Sequence, residues 1–321
     1  MYQTDRPRAV PHHELNAGLP PGQAARRSVA LVLSPALGDS LNLLVIAHNL
    51  VRANWQVRIF GAHAWSLAAW FPHLPIEPAL REDAARETLE RFDVVIQMHR
   101  DRPFADLHAW HPGFVDLHEI EYADGEPCMA HRFAVFAAAR FDLPGVEISN
   151  GMQAPAGLVH RRYAHRVAVH PEASTPDKRW LARRFIGLCR RLGTQGFAPE
   201  LVMAERERAR WLPRVRDALP LRAFHDTAEL AAWLYESGWF IGNDSGLGHL
   251  ASALGIPTLT LFRRRRVAQR WRPGFHCAEI VLPPWWLPSA GLKERLWRES
   301  ISINRVMRRF GELRKRAAAA A

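Results

Sequence analysis

The stretch Phe240–Phe262, FIGNDSGLGHLASALGIPTLTLF, places an Asp-Ser-Gly turn and a histidine between two apolar runs. Ser245 and Gly246 are residue types that suit phosphate binding, because a hydroxyl and backbone N–H groups donate hydrogen bonds and a glycine lets a ligand approach the main chain. The alternative interpretation is purely structural. Asp244 would then cap a helix, and His249 would be a partly buried histidine whose hydrogen bonds are satisfied.

The elements on either side of this turn are predicted from the apolar pattern. Trp239–Gly242 and Pro257–Phe262 are short and rich in apolar or β-branched residues, which predicts two strands of an α/β sheet. Between them, apolar residues recur at helical spacing from Leu247 to Leu254, and Gly255 is a typical helix stop. The turn therefore lies where a helix begins after a strand ends, which is the usual place for a phosphate in α/β proteins.

Similar strand and helix patterns alternate along the rest of the chain, in two halves separated by the Gly- and Pro-rich segment Leu143–Tyr163. The first half has predicted strands Val29–Ser34, Gln56–Phe60 and Asp93–Met98 and helices Ser40–Ala53 and Glu82–Arg91. The second half has predicted strands Arg166–His170, Phe197–Met203 and Leu219–Phe224 and helices Lys178–Leu192, Glu205–Leu212 and Thr227–Glu236. This order predicts two doubly wound, Rossmann-like α/β domains that face a central cleft.

The predicted domain organisation follows from these halves. Residues 1–27 are predicted to form a flexible extension, residues 28–150 an N-terminal domain, and residues 151–164 a linker. Residues 165–290 are predicted to form a C-terminal domain. Residues 291–321 are predicted to form a basic helix and a tail.

Composition restricts the class of protein. The 321 residues are 48% hydrophobic and 23% charged, which is typical of a globular chain long enough for two domains. Three cysteines, far apart, predict neither a disulfide framework nor a cysteine metal site, and a reducing cytoplasm is expected. No apolar run reaches the roughly 18 residues that span a bilayer, and the N-terminus lacks the apolar core of a signal peptide.

The net charge of +11 favours anionic partners. A nucleic-acid partner is not predicted, because no recognised binding motif is present and the arginines are dispersed. A dinucleotide oxidoreductase is also disfavoured, because the turn SPALGDS after the first predicted strand lacks the Gly-x-Gly-x-x-Gly pattern.

Three motifs in order carry a family resemblance. LSPALGDSLNLLVIAHNL (Leu33–Leu50), HPEASTPDKRW (His170–Trp180) and FHDTAELAAWLYESGWFIGNDSGLGHLASALGIPTLTLF (Phe224–Phe262) resemble glycosyltransferase family 9, the lipopolysaccharide heptosyltransferase-like enzymes. The resemblance covers most of Val29–Phe262 and is thin between Ala62 and Val159.

This resemblance implies a GT-B fold and inverting transfer of a sugar, heptose above all, from an ADP-sugar to a lipopolysaccharide core or related anionic glycan. Residues 28–150 would be the acceptor-side domain and residues 165–290 the nucleotide-sugar-binding domain. Asp39 would be the catalytic base, because the attacking hydroxyl must lose a proton. The donor-binding residues that the resemblance implies are Ser174, Lys178, Asp244, Ser245, Gly246 and His249. No cofactor and no metal are implied, and the enzyme would be cytoplasmic, with peripheral contact to the inner face of the membrane.

Structural alternatives stand beside these roles. Asp39 directly precedes the predicted helix Ser40–Ala53, where aspartate is a favoured N-cap. Lys178 could be a solvated residue in the first turn of its predicted helix, although a lysine there opposes the helix dipole. Trp180 is expected to pack rather than bind. The rival to an enzyme is a degenerate family member that binds a nucleotide sugar or a protein without transfer.

The sequence departs from the family at two places. The run RRRR, Arg263–Arg266, replaces a small polar loop, and it is either a solvated basic loop or an anchor in which Arg263 and Arg264 contact a phosphate or the acceptor. Glu172 stands where the family tends to have glycine. Because a carboxylate would repel a phosphate, Glu172 is expected to point away or to bind a sugar hydroxyl.

Two further segments suggest other sites. His108, His111, His118 and Glu119 could be interpreted as metal ligands, but their spacing fits no strong motif. In the same segment, Asp101 and Asp106 are candidate acceptor contacts. The proline-rich run PPWWLP, residues 283–288, has two tryptophans for which core packing is expected, with a membrane-surface or glycan-stacking role as the alternative.

Overall fold

The computed structural model describes residues 27–118, 120, 127–215, 219–284 and 296–319. The predicted N-terminal extension up to residue 26 lies outside the described residues, as do Glu119, Trp285, Trp286 and the start of the predicted C-terminal helix at Gly291. Within the described residues, no helix is both long and apolar enough to cross a membrane.

The first half of the chain forms a five-stranded parallel sheet in the order β3-β2-β1-β4-β5. Its strands are β1 (Ser28–Val32), β2 (Gln56–Phe60), β3 (Ile76–Glu77), β4 (Val94–Gln97) and β5 (Phe114–Asp116). The accompanying helices are α1 (Leu37–Arg52), α2 (Ala62–Ser66), α3 (Glu82–Leu89), α4 (Leu107–Trp110) and α5 (Met129–Phe141), with a 3-10 turn at Ala68–Trp70. Strand order reverses between β1 and β4, which makes the carboxyl ends of these two strands a topological switch point.

The second half forms a six-stranded parallel sheet in the order β11-β10-β9-β6-β7-β8. Its strands are β6 (Tyr163–His170), β7 (Ala198–Ala204), β8 (Leu221–Phe224), β9 (Ser237–Asn243), β10 (Thr258–Leu261) and β11 (Ala278–Val281). Its helices are α6 (Ala182–Gly193), α7 (Glu205–Val215), α8 (Thr227–Tyr235), α9 (Gly246–Ala253), α10 (Arg265–Trp271) and α11 (Ile303–Ala319). The switch point of this sheet lies between β6 and β9.

The two halves share one connected cluster of buried apolar side chains. Helix α1 contributes most to it: twelve of its sixteen residues are buried, because the helix packs on α5 and also on α9 of the other half. Elsewhere along the same interface, Trp70 and Tyr235 stack edge to face with ring centroids 5.7 Å apart. Helix α1 is thus buried on most of its sides, and its polar residues Asn42 and Asn49 are buried together with the apolar ones.

The predicted fold class, two parallel-sheet α/β domains, is confirmed. Most predicted elements form within a few residues of their predicted bounds, and Gln56–Phe60 matches them at both ends. One prediction is wrong: the helix predicted from Lys178 begins at Ala182, and Lys178 ends a separate 3-10 turn, Pro176–Lys178. The proline at the start of that turn lacks an N–H and fixes its own φ, which favours a short turn before the helix.

Candidate functional site

The two switch points face each other across a cleft of about 830 Å³ between the halves. The candidate base, the candidate donor-binding residues and the two candidate arginines all line this cleft: Asp39, Ser174, Lys178, Asp244, Ser245, Gly246, His249, Arg263 and Arg264. The topology explains the convergence, because loops at the carboxyl ends of parallel strands project from one edge of each sheet.

Helices α1 and α9 meet at their N-termini on the floor of the cleft. A Cβ atom placed on Gly246 would lie 2.9 Å from the Cβ of Leu37 and 3.0 Å from the backbone nitrogen of Gly38. Glycine at positions 38 and 246 therefore permits the backbones of the two halves to come into contact. The N–H groups and the positive ends of two helix dipoles are thereby brought to one place, which favours an anion.

Asp39 lies in the first turn of α1, and its side chain is 23% exposed to the cleft. The predicted alternative of an N-cap is wrong, because the N-cap position is Ala36. The Oγ of Ser34 donates a hydrogen bond to Asp39 Oδ2 over 3.1 Å. His99 Nε2 lies 3.5 Å from the same oxygen.

Lys178 and Asp244 form an ion pair across the cleft wall, with Nζ 3.1 Å from Oδ2. Asp244 is not the N-cap of α9, because Ser245 holds that position. The Ser245 hydroxyl is buried and has no hydrogen-bond partner among the described residues. A buried hydroxyl without a partner costs free energy unless a ligand or water satisfies it.

His249 is buried and joins the two halves. Its Nδ1 lies 3.2 Å from the Nδ2 of Asn42, and that amide also donates to the carbonyl of Gly38 over 2.8 Å. Burial lowers the pKa of His249 below its usual 6.5, against the opposing charges of Asp244 and Asp39. The imidazole is therefore neutral near pH 7, and its Nδ1 contacts the side-chain amide of Asn42 in the opposite half of the chain.

The family model of glycosyltransferase family 9 (heptosyltransferase) matches residues 107–287, more than half of the chain. The chain belongs to glycosyltransferase family 9. No curated protein matches it in sequence.

Solved structures show the same fold at low identity. ADP-heptose lps heptosyltransferase II of E. coli is 17% identical, with a TM-score of 0.65 over 89% of this chain and 98% of that one. E. coli heptosyltransferase WaaC with ADP is 14% identical, with a TM-score of 0.62 over 89% and 99%. A family 9 glycosyltransferase from Veillonella parvula is 16% identical, with a TM-score of 0.68 over 90% and 97%. The fold of this family 9 chain is thus GT-B.

The arginine run of this family 9 protein is not a four-residue loop. Arg263 pairs with Asp177, and Arg264 is the N-cap residue of α10, so Arg265 and Arg266 begin a helix. The hydrogen bond from Thr175 and the charges of Arg263 and Lys178 lower the pKa of Asp177. Arg263 and Arg264 remain on the cleft wall, beside Lys178 and Asp244.

Glu172 points into the protein. Its Oε2 lies 2.8 Å from Arg179 Nε and 3.0 Å from Arg210 Nη1, and its Oε1 accepts a hydrogen bond from Trp211 Nε1 over 2.7 Å. Only 2% of its surface is exposed. Of the two alternatives expected for Glu172, pointing away from the cleft is confirmed and contact with a sugar hydroxyl is wrong. Arg179 and Arg210 neutralise its carboxylate.

The predicted metal alternative has no support in the described residues, where no group of three or more His, Cys, Asp or Glu side chains could hold an ion. His111 serves a structural role: its Nδ1 accepts from the Gly113 N–H and its Nε2 bonds the Leu89 carbonyl. Neither candidate acceptor contact is among the residues that line the cleft. Asp101 pairs with Arg102, and Asp106 directly precedes α4.

Trp180 packs as expected. It is buried, and its indole N–H bonds the carbonyls of Arg298 and Ile301. The residue that sequence reasoning missed is His99, beside Asp39. Its signal was topological, since it follows the predicted strand Asp93–Met98, which ends at the same switch point as the strand before Asp39.

Proposed function

We propose that this family 9 protein transfers a sugar from a nucleoside diphosphate sugar to a glycan acceptor with inversion at the anomeric carbon. Heptose from ADP-heptose is the favoured donor, and a lipopolysaccharide core or related anionic glycan is the favoured acceptor. The observation that carries the proposal is that the carboxylate of Asp39 lines the same cleft as a cluster of cations and N–H donors.

The diphosphate is assigned to the N-terminus of α9. Helix α1 carries Asp39 in its first turn, which offsets its dipole, whereas the first turn of α9 holds no acidic residue. The free N–H groups of α9, the unpartnered hydroxyl of Ser245 and the ammonium of Lys178 therefore form the stronger anion site. Ser174 is exposed on the same wall and is assigned to the donor as well.

Asp39 is assigned as the base. As the acceptor oxygen bonds to the anomeric carbon, the bond from that carbon to the phosphate oxygen breaks, and the acceptor proton passes to the carboxylate. The nucleoside diphosphate leaves with the electron pair, and the charge it gains is stabilised by Lys178 and the N–H groups of α9. Attack from the Asp39 side, opposite the leaving group, gives inversion.

The identity of the donor draws support from the structural neighbours. E. coli WaaC has been solved with ADP and with ADP-2-deoxy-2-fluoro heptose. A glycolipid acceptor would bring this chain to the inner face of the cytoplasmic membrane, and its net charge of +11 suits an anionic surface.

Calorimetric titration with ADP, UDP, GDP and their sugars tests the donor site. Wild type is expected to bind ADP selectively at micromolar Kd, and Lys178→Ala is expected to weaken binding at least tenfold. Lys315→Ala, on the exposed side of α11, is the matched control and should bind as wild type does. Absence of binding to every nucleotide would refute the donor-site assignment.

The second candidate function is a degenerate member that binds a nucleotide sugar or a protein without transfer. The replacement of a small polar loop by Arg263–Arg266 favours it, because Arg263 and Arg264 line the cleft wall beside Lys178, at the proposed phosphate position. Turnover separates the two candidates. A wild type that binds ADP-heptose but yields no product with any glycan acceptor, and an equally inactive Asp39→Asn variant, would support the degenerate member.

A further inference from the structure

His99 follows the carboxyl end of β4, and Asp39 follows the carboxyl end of β1, the strand that pairs with β4. Its Nε2 is 3.5 Å from Asp39 Oδ2, the oxygen that also accepts the Ser34 hydroxyl. The His99 side chain is 14% exposed and that of Asp39 is 23% exposed, so the pair is largely shielded from water. A hydrogen bond or ion pair in such surroundings is stronger than one on the surface.

Gln97 fixes the backbone that carries His99. Gln97 is fully buried, and its side-chain amide donates to the His99 carbonyl over 2.8 Å and to the Phe104 carbonyl over 2.9 Å. Its Oε1 accepts from the Phe104 N–H over 3.1 Å. A buried polar side chain that bonds both ends of a loop holds that loop in one conformation.

Both contacts to the Asp39 carboxylate fall on one oxygen. Ser34 and His99 contact Oδ2, and within the described part of the chain Oδ1 has no hydrogen-bond partner. A carboxylate held by one oxygen keeps a fixed orientation while the other oxygen stays available to accept a proton. General-base catalysis depends on this alignment with the acceptor hydroxyl.

We propose that His99 is a positioning residue that holds Asp39 Oδ2 through its Nε2–H, so that Oδ1 faces the acceptor. This inference rests on the proposed function and adds a residue to its base. In the transfer step the acceptor proton passes to Oδ1, the new bond forms from the acceptor oxygen to the anomeric carbon, and the nucleoside diphosphate departs. His99 keeps its own proton throughout.

Two amide variants test the role, because they differ by one methylene. His99→Gln supplies an N–H at nearly the reach of Nε2, whereas the amide of His99→Asn is too short. His99→Asn and His99→Ala are expected to lower kcat about 10- to 100-fold, with KM and nucleotide Kd within about twofold of wild type. His99→Gln is expected to restore kcat to within about fivefold. His108→Ala, an exposed histidine on α4, is the matched control.

The outcomes separate this role from others. If His99→Ala folds with an unchanged thermal midpoint and transfers as fast as wild type, the positioning role is wrong while the proposed function stands. If His99→Gln is as inactive as Asp39→Asn, an N–H donor at this position does not suffice, which also overturns the inference. A wild type that binds no nucleotide and transfers nothing would overturn the proposed function and this inference together.

Discussion

Replacement of the buried carboxylate Glu172 by glutamine is expected to destabilise the C-terminal domain by about 2–3 kcal/mol. The amide oxygen can still accept the bond from Trp211, but an NH2 group would face the guanidinium groups of Arg179 and Arg210. The N–H groups of the amide would then face the N–H groups of the two arginines, where the carboxylate had formed two ion pairs. The substitution would therefore leave buried hydrogen-bond donors without acceptors.

The magnitude follows from burial. Removing one partner of a fully buried ion pair costs about 3–5 kcal/mol. The Arg179 and Arg210 side chains are 27% and 48% exposed, so water can solvate part of their charge once the carboxylate is gone. This solvation lowers the expected cost below the fully buried range but keeps it above the roughly 1 kcal/mol of a surface pair.

Urea unfolding, followed by far-UV circular dichroism and tryptophan emission, measures this cost. Glu200→Gln is the matched control, because Glu200 pairs with Arg222 at 3.4 Å with side chains 20% and 51% exposed. The control is expected to lose under 1 kcal/mol. A Glu172→Gln loss no larger than that of the control would refute the idea that Glu172 neutralises a buried pair of arginines.

Three further predictions concern packing, thiol chemistry and pH. Gly246→Ala should lower the free energy of unfolding by about 1–3 kcal/mol, because its methyl group would lie 2.9 Å from Leu37 Cβ. Gly311→Ala, in open space on α11, should raise the free energy of unfolding by about 1 kcal/mol, and calorimetric melting that ranks the two variants equally would contradict this. Burial raises the pKa of Cys189 to about 12, so a thiol reagent at pH 8 should label it only after unfolding, and native labelling would be the contrary result. Because burial lowers the pKa of His249, the unfolded chain binds more protons, and the free energy of unfolding should fall as pH drops below 6.5; a His249→Gln variant with the same slope would argue otherwise.

Much of the fold could be predicted because strands and helices are encoded locally. The run Gln56–Phe60 forms a strand with the predicted bounds, and the nine candidate site residues share one cleft because each follows a strand whose carboxyl end is set by sheet topology. The order of three motifs along the chain led to the family resemblance, which implied the GT-B fold. The family match to residues 107–287 confirms the resemblance.

The errors lie where distant residues decide the outcome. Nothing in the sequence near Asp39 indicates that a histidine sixty residues later reaches its carboxylate, because that contact depends on the pairing of β1 with β4. Glu172 could be recognised as a departure from the family, but its partner Arg210 lies on α7, one strand and one helix further along. Lys178 was misplaced because the predicted helix was extended back to Lys178, whereas Lys178 ends a 3-10 turn that starts at Pro176 and the helix begins at Ala182.

The apolar cluster that runs from α1 into the second half has a consequence for how the domains move. Any wide hinge opening would expose the contact of α1 with α9 and that of Trp70 with Tyr235 to water. Each 100 Å² of apolar surface so exposed costs about 2.5 kcal/mol. We therefore expect the two halves to unfold together in one cooperative transition, and we expect wide separation of the halves to be costly in free energy.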